Sequence, residues 1–495
     1  MTDPTIFGAW SRRRFGKALA AGGAAVLAPT LARGQRAPDV ELQLAASTDV
    51  ERLFPGAPTP ILRFTGKLLS GRQDALIPGT GYLGPTLDLR RGERVRIHFD
   101  NRLPEPSIIH WHGMLVPEAA DGHPRFAVPR GGRYTYEFTV RNPAGTYVYH
   151  PHPHGRTGFQ VYYGLAGLLI VREPLETEAG LPDAAHDLPL VLQDRRVASD
   201  NSFLYGGAMA DAMNGMLGRT VFVNGRTNAA FRVRPRGYRL RLVNASNARI
   251  YKLAWSDGSP MNVIGADGGL FSAAEGVQQR SFITLAPLQR IEILEDFSRR
   301  KYRAEIELRS LAFSAASGMM GGMMGGGGQG EALSIARFVI GGEARERAGP
   351  LRLPPRERPS LDGSLERYTE LGFMGGRGFL NGRSFGIAEV ADEERIPVGR
   401  PVVWTFTNPA MGMMSMPHPM HIHGVQFRIA ERSGGRSDLA AGIVDAGLHD
   451  VALLQPGEQV RVAFTATDPG LYLYHCHNLE HEDGGMMRNV LFERA

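Results

Sequence analysis

Residues 474–487 read YHCHNLEHEDGGMM and hold the chain's single cysteine, Cys476, between His475 and His477, with His481, Met486 and Met487 following. In an extended strand neighbouring side chains point to opposite faces and residues two apart share one. Cys476 therefore looks one way and the two histidines the other. A thiolate with imidazoles and a weak axial thioether is the ligand set of a blue-copper electron-transfer centre, and Cys476, His481 and Met486 supply most of one. His475 and His477 would serve a second metal site behind it, so that one cysteine joins two centres as a short path for electrons. A lone cysteine forms no internal disulfide, and a protected metal ligand is the better reason for keeping one in an exported chain.

Fifteen histidines placed at random would give roughly half a pair two residues apart. The chain has five such pairs: His110/His112, His150/His152, His152/His154, His421/His423 and His475/His477. One pair alone reads as surface or packed histidines; four independent pairs beside the cysteine motif do not. Each pair puts two imidazoles on one face of a strand, and eight of them could hold about three copper ions with positions left for a small ligand. Structural zinc closes with four ligands and has no use for eight histidines beside one thiolate.

The elements that carry these residues are short. From about residue 38 onward there is no long amphipathic helical pattern, only alternating or apolar runs such as LLIV (168–171), YRLRLV (238–243) and VRVAF (460–464), broken by Gly, Pro, Asn and Asp. That spacing predicts β-sandwiches. RGERVRIHFDNRL (91–103), PRGYRLRLVNAS (235–246) and VGRPVVWTFTNPA (398–410) share a turn, an alternating strand and a closing Asn, which predicts three similar domains. GTYVYHPHPHG (145–155) matches GLYLYHCHNLEH (470–481), and HWHG (110–113) matches HIHG (421–424). The middle unit has no copy of either, and no histidine occurs between His186 and His418, so it is expected to be a spacer or scaffold. The expected boundaries are 38–180, 181–342, a Pro-rich charged linker at 343–364, and 365–495. Residues 318–330, GMMGGMMGGGGQG, have no apolar period to pack and read as a mobile loop.

At 495 residues, with 43% hydrophobic and 21% charged residues, the composition is that of a soluble multidomain protein. Residues 1–34 carry SRRRFGK from Ser11, an apolar run over 18–27 and small residues near Ala32. In that order they read as a twin-arginine export signal, too short to anchor a membrane protein. Without it the net charge falls from +6 to +2, which gives no reason to expect nucleic acid or an anionic membrane as partner.

HWHG, HPHPHG, HPMHIHG and HCHNLEHEDGGM together resemble the four copper-binding signatures of the multicopper oxidases, closest to bacterial exported copper-efflux oxidases and laccase-like metallo-oxidases. The resemblance spans nearly the whole chain after the leader. It implies an all-β protein of three cupredoxin-like Greek-key β-sandwich domains holding four copper ions. It assigns a type 1 copper to His418, Cys476 and His481 with Met486 axial, and a type 2 copper to His110 and His421. A type 3 pair falls to His112, His150 and His477 on one ion and His152, His423 and His475 on the other. His154 matches no ligand. Asp121 and Glu482 occupy positions where the family carries acidic proton-relay residues, and a carboxylate near the cluster can shuttle protons.

The implied reaction is four one-electron oxidations of a reductant coupled to reduction of dioxygen to water, by a monomer in the periplasm. The expected partners are dioxygen and either Cu(I) or a small aromatic reductant, with no nucleic acid and no membrane insertion. Met319, Met320, Met323 and Met324 in the glycine-rich run, and Met413, Met414 and Met416 beside His418, favour cuprous ion, since thioethers select Cu(I). Copper-efflux oxidases usually carry a longer methionine-rich insert in the third domain, whereas here it is short and late in the second. A laccase-type oxidase of phenols and aromatic amines is the alternative, and a non-catalytic cell-envelope cupredoxin scaffold is the reading from another class.

Overall fold

The computed structural model describes residues 37–494 except 302, 315–327, 343–348, 358–359, 411–415 and 436. The leader expected over 1–34 lies outside the described residues. The rest is β-structure with a few short helices, as expected. Among the described residues no helix is long and apolar enough to cross a membrane.

Six sheets form three sandwiches. In the first, the sheet Thr59–Ser70, Val40–Glu51, Arg94–Asn101, Arg133–Thr139 faces the sheet Leu76–Ile77, Thr86–Arg90, Gly167–Arg172, Gly145–Pro151, Ile109–His112. The third repeats the plan. Arg377–Leu380, Leu365–Met374, Pro401–Asn408, Glu458–Thr465 and Arg428–Gly434 make one sheet, and Arg395–Pro397, Met487–Glu493, Gly470–Cys476, His418–Ile422 and Val451–Leu454 the other. The second sandwich runs between Asp187–Arg195 and Leu333–Ile340 in sequence.

Period-two burial builds each core. In Arg94–Asn101 the side chains of Val95, Ile97 and Phe99 turn inward while Arg94, Arg96 and His98 stay partly open, and in Pro401–Asn408 it is Val402, Trp404 and Phe406 that turn inward. Gly237–Asn244 carries the same alternating sequence but is buried along its whole length. Its outer residues Arg239 and Arg241 face the first sandwich and are held there by Glu292, Asp187 and Glu176.

The repeated closing asparagine has one job in all three. Asn101 donates to the carbonyls of Glu105 and Val128, Asn244 to those of Arg249 and Leu285, and Asn408 to those of Met416 and Leu454. Each is a buried amide that satisfies carbonyls of nearby loops and strand ends, where an orphaned polar group would be costly.

Candidate metal centre

One strand holds His110 and His112, and three others hold the first histidine of a doublet, with His152, His423 and His477 just past their ends. Ile109–His112 pairs antiparallel with Gly145–Pro151, placing His110 opposite His150; His418–Ile422 pairs with Gly470–Cys476, placing His421 opposite His475 and Met420 opposite Cys476. Alternation then sorts the faces. Trp111 enters the first core and Cys476 the third, while the imidazoles on either side of each are left for the seam between the two sandwiches. The glycines that follow are required: Gly113 (φ +81°) and Gly424 (φ +71°) turn the backbone where a Cβ would strike Asp450 or Tyr472.

The eight imidazoles gather at that seam, all 1% exposed or less. His110 stacks on His423 with ring centroids 3.7 Å apart, and His112 on His421 at 3.9 Å. Three sets of ring nitrogens converge: His110, His112 and His421; His112, His150 and His477; and His152, His423 and His475. The Nε2 atoms of His152 and His423 lie 3.3 and 3.1 Å from His475 Nε2, and His421 Nε2 lies 3.4 Å from His110 Nε2. Burial, and after it the neighbouring imidazoles, pull most of these rings well below the usual histidine range, His150 to about 4. Neutral rings are the ligating form.

The far nitrogens are held. His110 Nδ1 is 2.7 Å from the Asp121 carbonyl, His150 Nδ1 is 2.9 Å from the Pro151 carbonyl, and His421 Nδ1 is 2.7 Å from the Asp450 carbonyl. His423 Nδ1 is 2.8 Å from Asp121 Oδ2. Such contacts fix which nitrogen is free. His112 Nδ1, His150 Nε2 and both nitrogens of His477 are buried with no hydrogen-bond partner among the described residues. Orphaned donors in this number have a physical explanation if a metal takes them.

On the other side of Cys476 a second group forms. His418 Nδ1 lies 3.4 Å and His481 Nδ1 3.7 Å from Cys476 Sγ, and the two Nδ1 atoms are 3.3 Å apart. Met486 is fully buried in the same core, and its carbonyl accepts the Cys476 N–H at 3.0 Å. Burial pushes the Cys476 thiol well above its usual range, so the thiolate needs a cation beside it. One thiolate, two imidazoles and a neighbouring thioether suit copper.

His481 and its neighbours sit on the short helix Leu479–Asp483. His481 Nε2 donates to the Met213 carbonyl at 2.8 Å, so helix Met209–Asn214 of the second sandwich covers this imidazole. Nothing in GGAMADAMNGM (206–216) singled that segment out. Met319, Met320, Met323, Met324, Met413 and Met414 lie outside the described residues. Met416 is 5% exposed and shares with Gln329 and Asn478 a cavity of about 20 Å³. Gln329, near the end of the Met/Gly run, and Ser314, before it, are anchored to the Ala248 carbonyl and to Asp438. His154 is at the surface against Phe385 and joins neither group.

Of the acids, Asp121 is fully buried between His110 and His423, burial raises its pKa well above the usual range, and its Oδ1, 3.6 Å from His110 Nδ1, has no hydrogen-bond partner among the described residues. Glu482 places its carboxylate 3.1 Å from His475 Nδ1 and 3.5 Å from His152 Nε2. Two further charged groups were not visible in the sequence. Asp450 Oδ1 accepts from His112 Nε2 at 2.9 Å, and Arg290 of the second sandwich grips Asp450 with two bonds of 2.5 Å.

Comparison with known proteins places the chain among relatives of one kind. Family models described as multicopper oxidase match residues 66–176 and 359–495. The multicopper oxidase mco of Staphylococcus epidermidis is 30% identical over 413 residues, covering 82% of this chain and 81% of its own. The cell division protein FtsP of Sodalis glossinidius is 30% identical over 490 residues, covering 96% and 97%. The crystal structure of the McoA multicopper oxidase from Aquifex aeolicus is similar with a TM-score of 0.77 at 32% identity, covering 92% of this chain and 97% of that one.

Proposed function

The chain belongs to the multicopper oxidase family, and from that premise we propose that it is an exported cuprous oxidase, passing electrons from Cu(I) to dioxygen so that four Cu(I), one dioxygen and four protons become four Cu(II) and two waters. Coupling of a reductant's oxidation to dioxygen reduction follows from the family; the reductant, the four-copper count and the ligand assignment are our reading. In it His418, Cys476, His481 and Met486 hold the electron-accepting copper. His110 and His421 hold the type 2 ion, and the two remaining triads, His112/His150/His477 and His152/His423/His475, hold the type 3 pair. Export by the twin-arginine route to the periplasm, from residues 1–34, belongs to the same reading, as does a division into domains at 38–180, 181–342 and 365–495.

Bound copper supplies one-electron redox chemistry on the sulfur side of Cys476 and dioxygen reduction on the histidine side. The protein's part is positional. Cys476 bridges the two groups through His475 and His477, the carbonyls of Asp121, Pro151 and Asp450 and the Asp121 carboxylate hold the imidazoles in the ligating tautomer, and the seam excludes bulk water. Asp121 and Glu482, buried beside the triads, are placed to hold and pass the protons that water formation consumes.

The observation that carries the cuprous reading is the cover on His481. Its Nε2–H, the edge a phenol would hydrogen-bond, is already donated to Met213 and fully buried, and the adjacent cavity of about 20 Å³ has room for about one water. That cavity, lined by Asn214, Met416 and Asn478 among the described residues, is too small for an aromatic ring, whereas a small soft cation held by thioethers outside it could pass an electron inward. Met209, on the same helix as Met213, is 83% exposed. The likeness to a cell division protein leaves the non-catalytic reading as the rival, but a full set of buried donors supports an oxidase.

The test is oxygen uptake with Cu(I) and with 2,6-dimethoxyphenol, before and after deletion of residues 318–328. Cuprous oxidation should fall about tenfold or more, a barrier change of ~1.4 kcal/mol, with phenol oxidation kept or raised. Equal loss of both would refute the cuprous reading, and a copper-free wild type would refute the oxidase.

A further inference from the structure

The second sandwich contributes no imidazole to either metal group, yet one of its side chains reaches the histidine cluster. Arg290 starts the strand Arg290–Asp296 and is fully buried. All of its guanidinium donors are used. Nε donates to the Thr146 carbonyl at 2.9 Å, Nη1 to the Leu288 carbonyl and to Asp450 Oδ1, and Nη2 to the Asp267 carbonyl and to Asp450 Oδ2. A planar fork tied at this many points cannot turn, and a carboxylate held by it in a two-point grip cannot turn either. Asp267 holds the same segment from behind, accepting from the backbone N–H groups of Arg290, Asp450 and Val451 at 2.7, 3.3 and 3.4 Å.

What the grip fixes is His112. Its Nε2 donates to Asp450 Oδ1 at 2.9 Å, which leaves Nδ1 as the nitrogen without a proton, and Nδ1 is the buried atom with no hydrogen-bond partner. A second ligand depends on the same residue, since the Asp450 carbonyl holds His421 Nδ1 at 2.7 Å. The packing allows no slack: a Cβ on Gly113, the residue after His112, would lie 2.3 Å from Asp450 Oδ2 and 2.8 Å from Arg290 Nη2.

We infer that Arg290 and Asp450 act as a positioning pair through which the second sandwich sets the orientation and tautomer of His112, and with them the competence of the dioxygen-reducing site. The inference rests on His112 being a copper ligand, as proposed above. It does not depend on which reductant the protein uses. The competing view is that the pair merely clamps the sandwiches together, in which case its loss would disturb both metal groups alike.

The experiment uses the full-length, copper-loaded protein and the variants Arg290→Lys, Asp450→Asn and their combination. Four quantities are read: copper per chain, EPR spins per copper, absorbance of the blue centre, and the rate at which the reduced protein is reoxidised by dioxygen. Both single variants should keep the blue absorbance of the Cys476 site while reoxidation slows about 10- to 100-fold, the usual cost of losing a hydrogen-bond partner of a metal ligand. Spins per copper should rise as coupling within the ion pair is lost. The double variant should be no worse than the poorer single one, because both act through one bond. Asp450→Asn keeps size and one acceptor oxygen, so it reports on the site even if Arg290→Lys folds poorly. Reoxidation within twofold of wild type in both single variants would overturn the inference. So would parallel loss of blue absorbance and reoxidation in Asp450→Asn. A wild-type chain without a coupled copper pair would overturn the ligand reading and this inference with it.

Discussion

Gly113 offers the sharpest test of how tightly the HWHG turn is built. Its φ of +81° costs an alanine about 1–2 kcal/mol from backbone conformation alone. The new Cβ would also sit 2.3 Å from Asp450 Oδ2, so the carboxylate must move and give up at least one charge-assisted hydrogen bond, worth about 1.5–3 kcal/mol. Gly113→Ala should therefore cost about 2.5–5 kcal/mol. Gly131 separates the two effects: it has φ +75°, lies in the same sandwich, and has nothing within 4 Å of where its Cβ would be. Gly131→Ala should cost only the backbone part, about 1–2 kcal/mol. Guanidinium unfolding of the metal-free proteins at pH 7, followed by circular dichroism, gives the difference. Reoxidation by dioxygen should slow in Gly113→Ala and stay at the wild-type rate in Gly131→Ala. Unfolding costs equal within about 0.5 kcal/mol would show that the turn has slack, and the reasoning about Asp450 would fail.

Glu275 links the second sandwich to the loop that carries Asp450. Burial raises its pKa, but the Ser272 N–H and hydroxyl, the Gly447 N–H and Arg428 outweigh that and bring it down to about 2. A depressed carboxylate contributes stability that is present above its ordinary value of 4.5 and lost as pH falls through about 2. Glu275→Gln should thus cost about 2–3 kcal/mol at pH 7 and roughly half of that at pH 3; the same cost at both, by chemical unfolding, contradicts the assignment. Asp121→Asn and Glu482→Gln should each slow dioxygen turnover roughly 10²-fold and leave stopped-flow reduction of the blue centre unchanged, whereas full turnover at pH 7 in both would remove them from the proton path. The Cys476 thiol of the folded, metal-free protein should resist Ellman's reagent and react fully on unfolding; fast reaction in the folded state would mean the core is open there.

The sequence was most informative where function lies along one strand. A doublet such as His110/His112 declares both its strand and its face by spacing alone, and the cysteine between His475 and His477 adds the opposite face. The closing asparagines were legible as a repeat, though their purpose, satisfying nearby carbonyls, needed the structure. What could not be read are partners that meet across hundreds of residues. Asp450 lies in GLHDV and Arg290 in LQRIE, neither of which has a spacing signal, and they matter only because three sandwiches converge on His112. The absence of histidines from 187 to 417 pointed to a passive middle unit, and a search for ligands has no way of finding a residue that acts on a ligand's far nitrogen. Met213 escaped for a different reason, since it is a backbone carbonyl that covers His481.

The buried charges of the second sandwich become intelligible in the same way. Arg239, Arg241 and Arg290 are 1% exposed or less, each against carboxylates, and an apolar interface of the same volume would hold the sandwiches together as firmly or more so. Directional bonds add register. Thr146 receives Arg241 on its hydroxyl, donates that hydroxyl to Glu292, and receives Arg290 on its carbonyl. Four residues along the same strand stands His150, directly opposite His110. Greasy surfaces tolerate sliding, whereas a donor set built from two sandwiches must hold ligand positions to within about 0.5 Å. A middle unit that supplies no imidazole, but pins the His150 strand by its edge and the His112 ring by Asp450, is what such a seam needs.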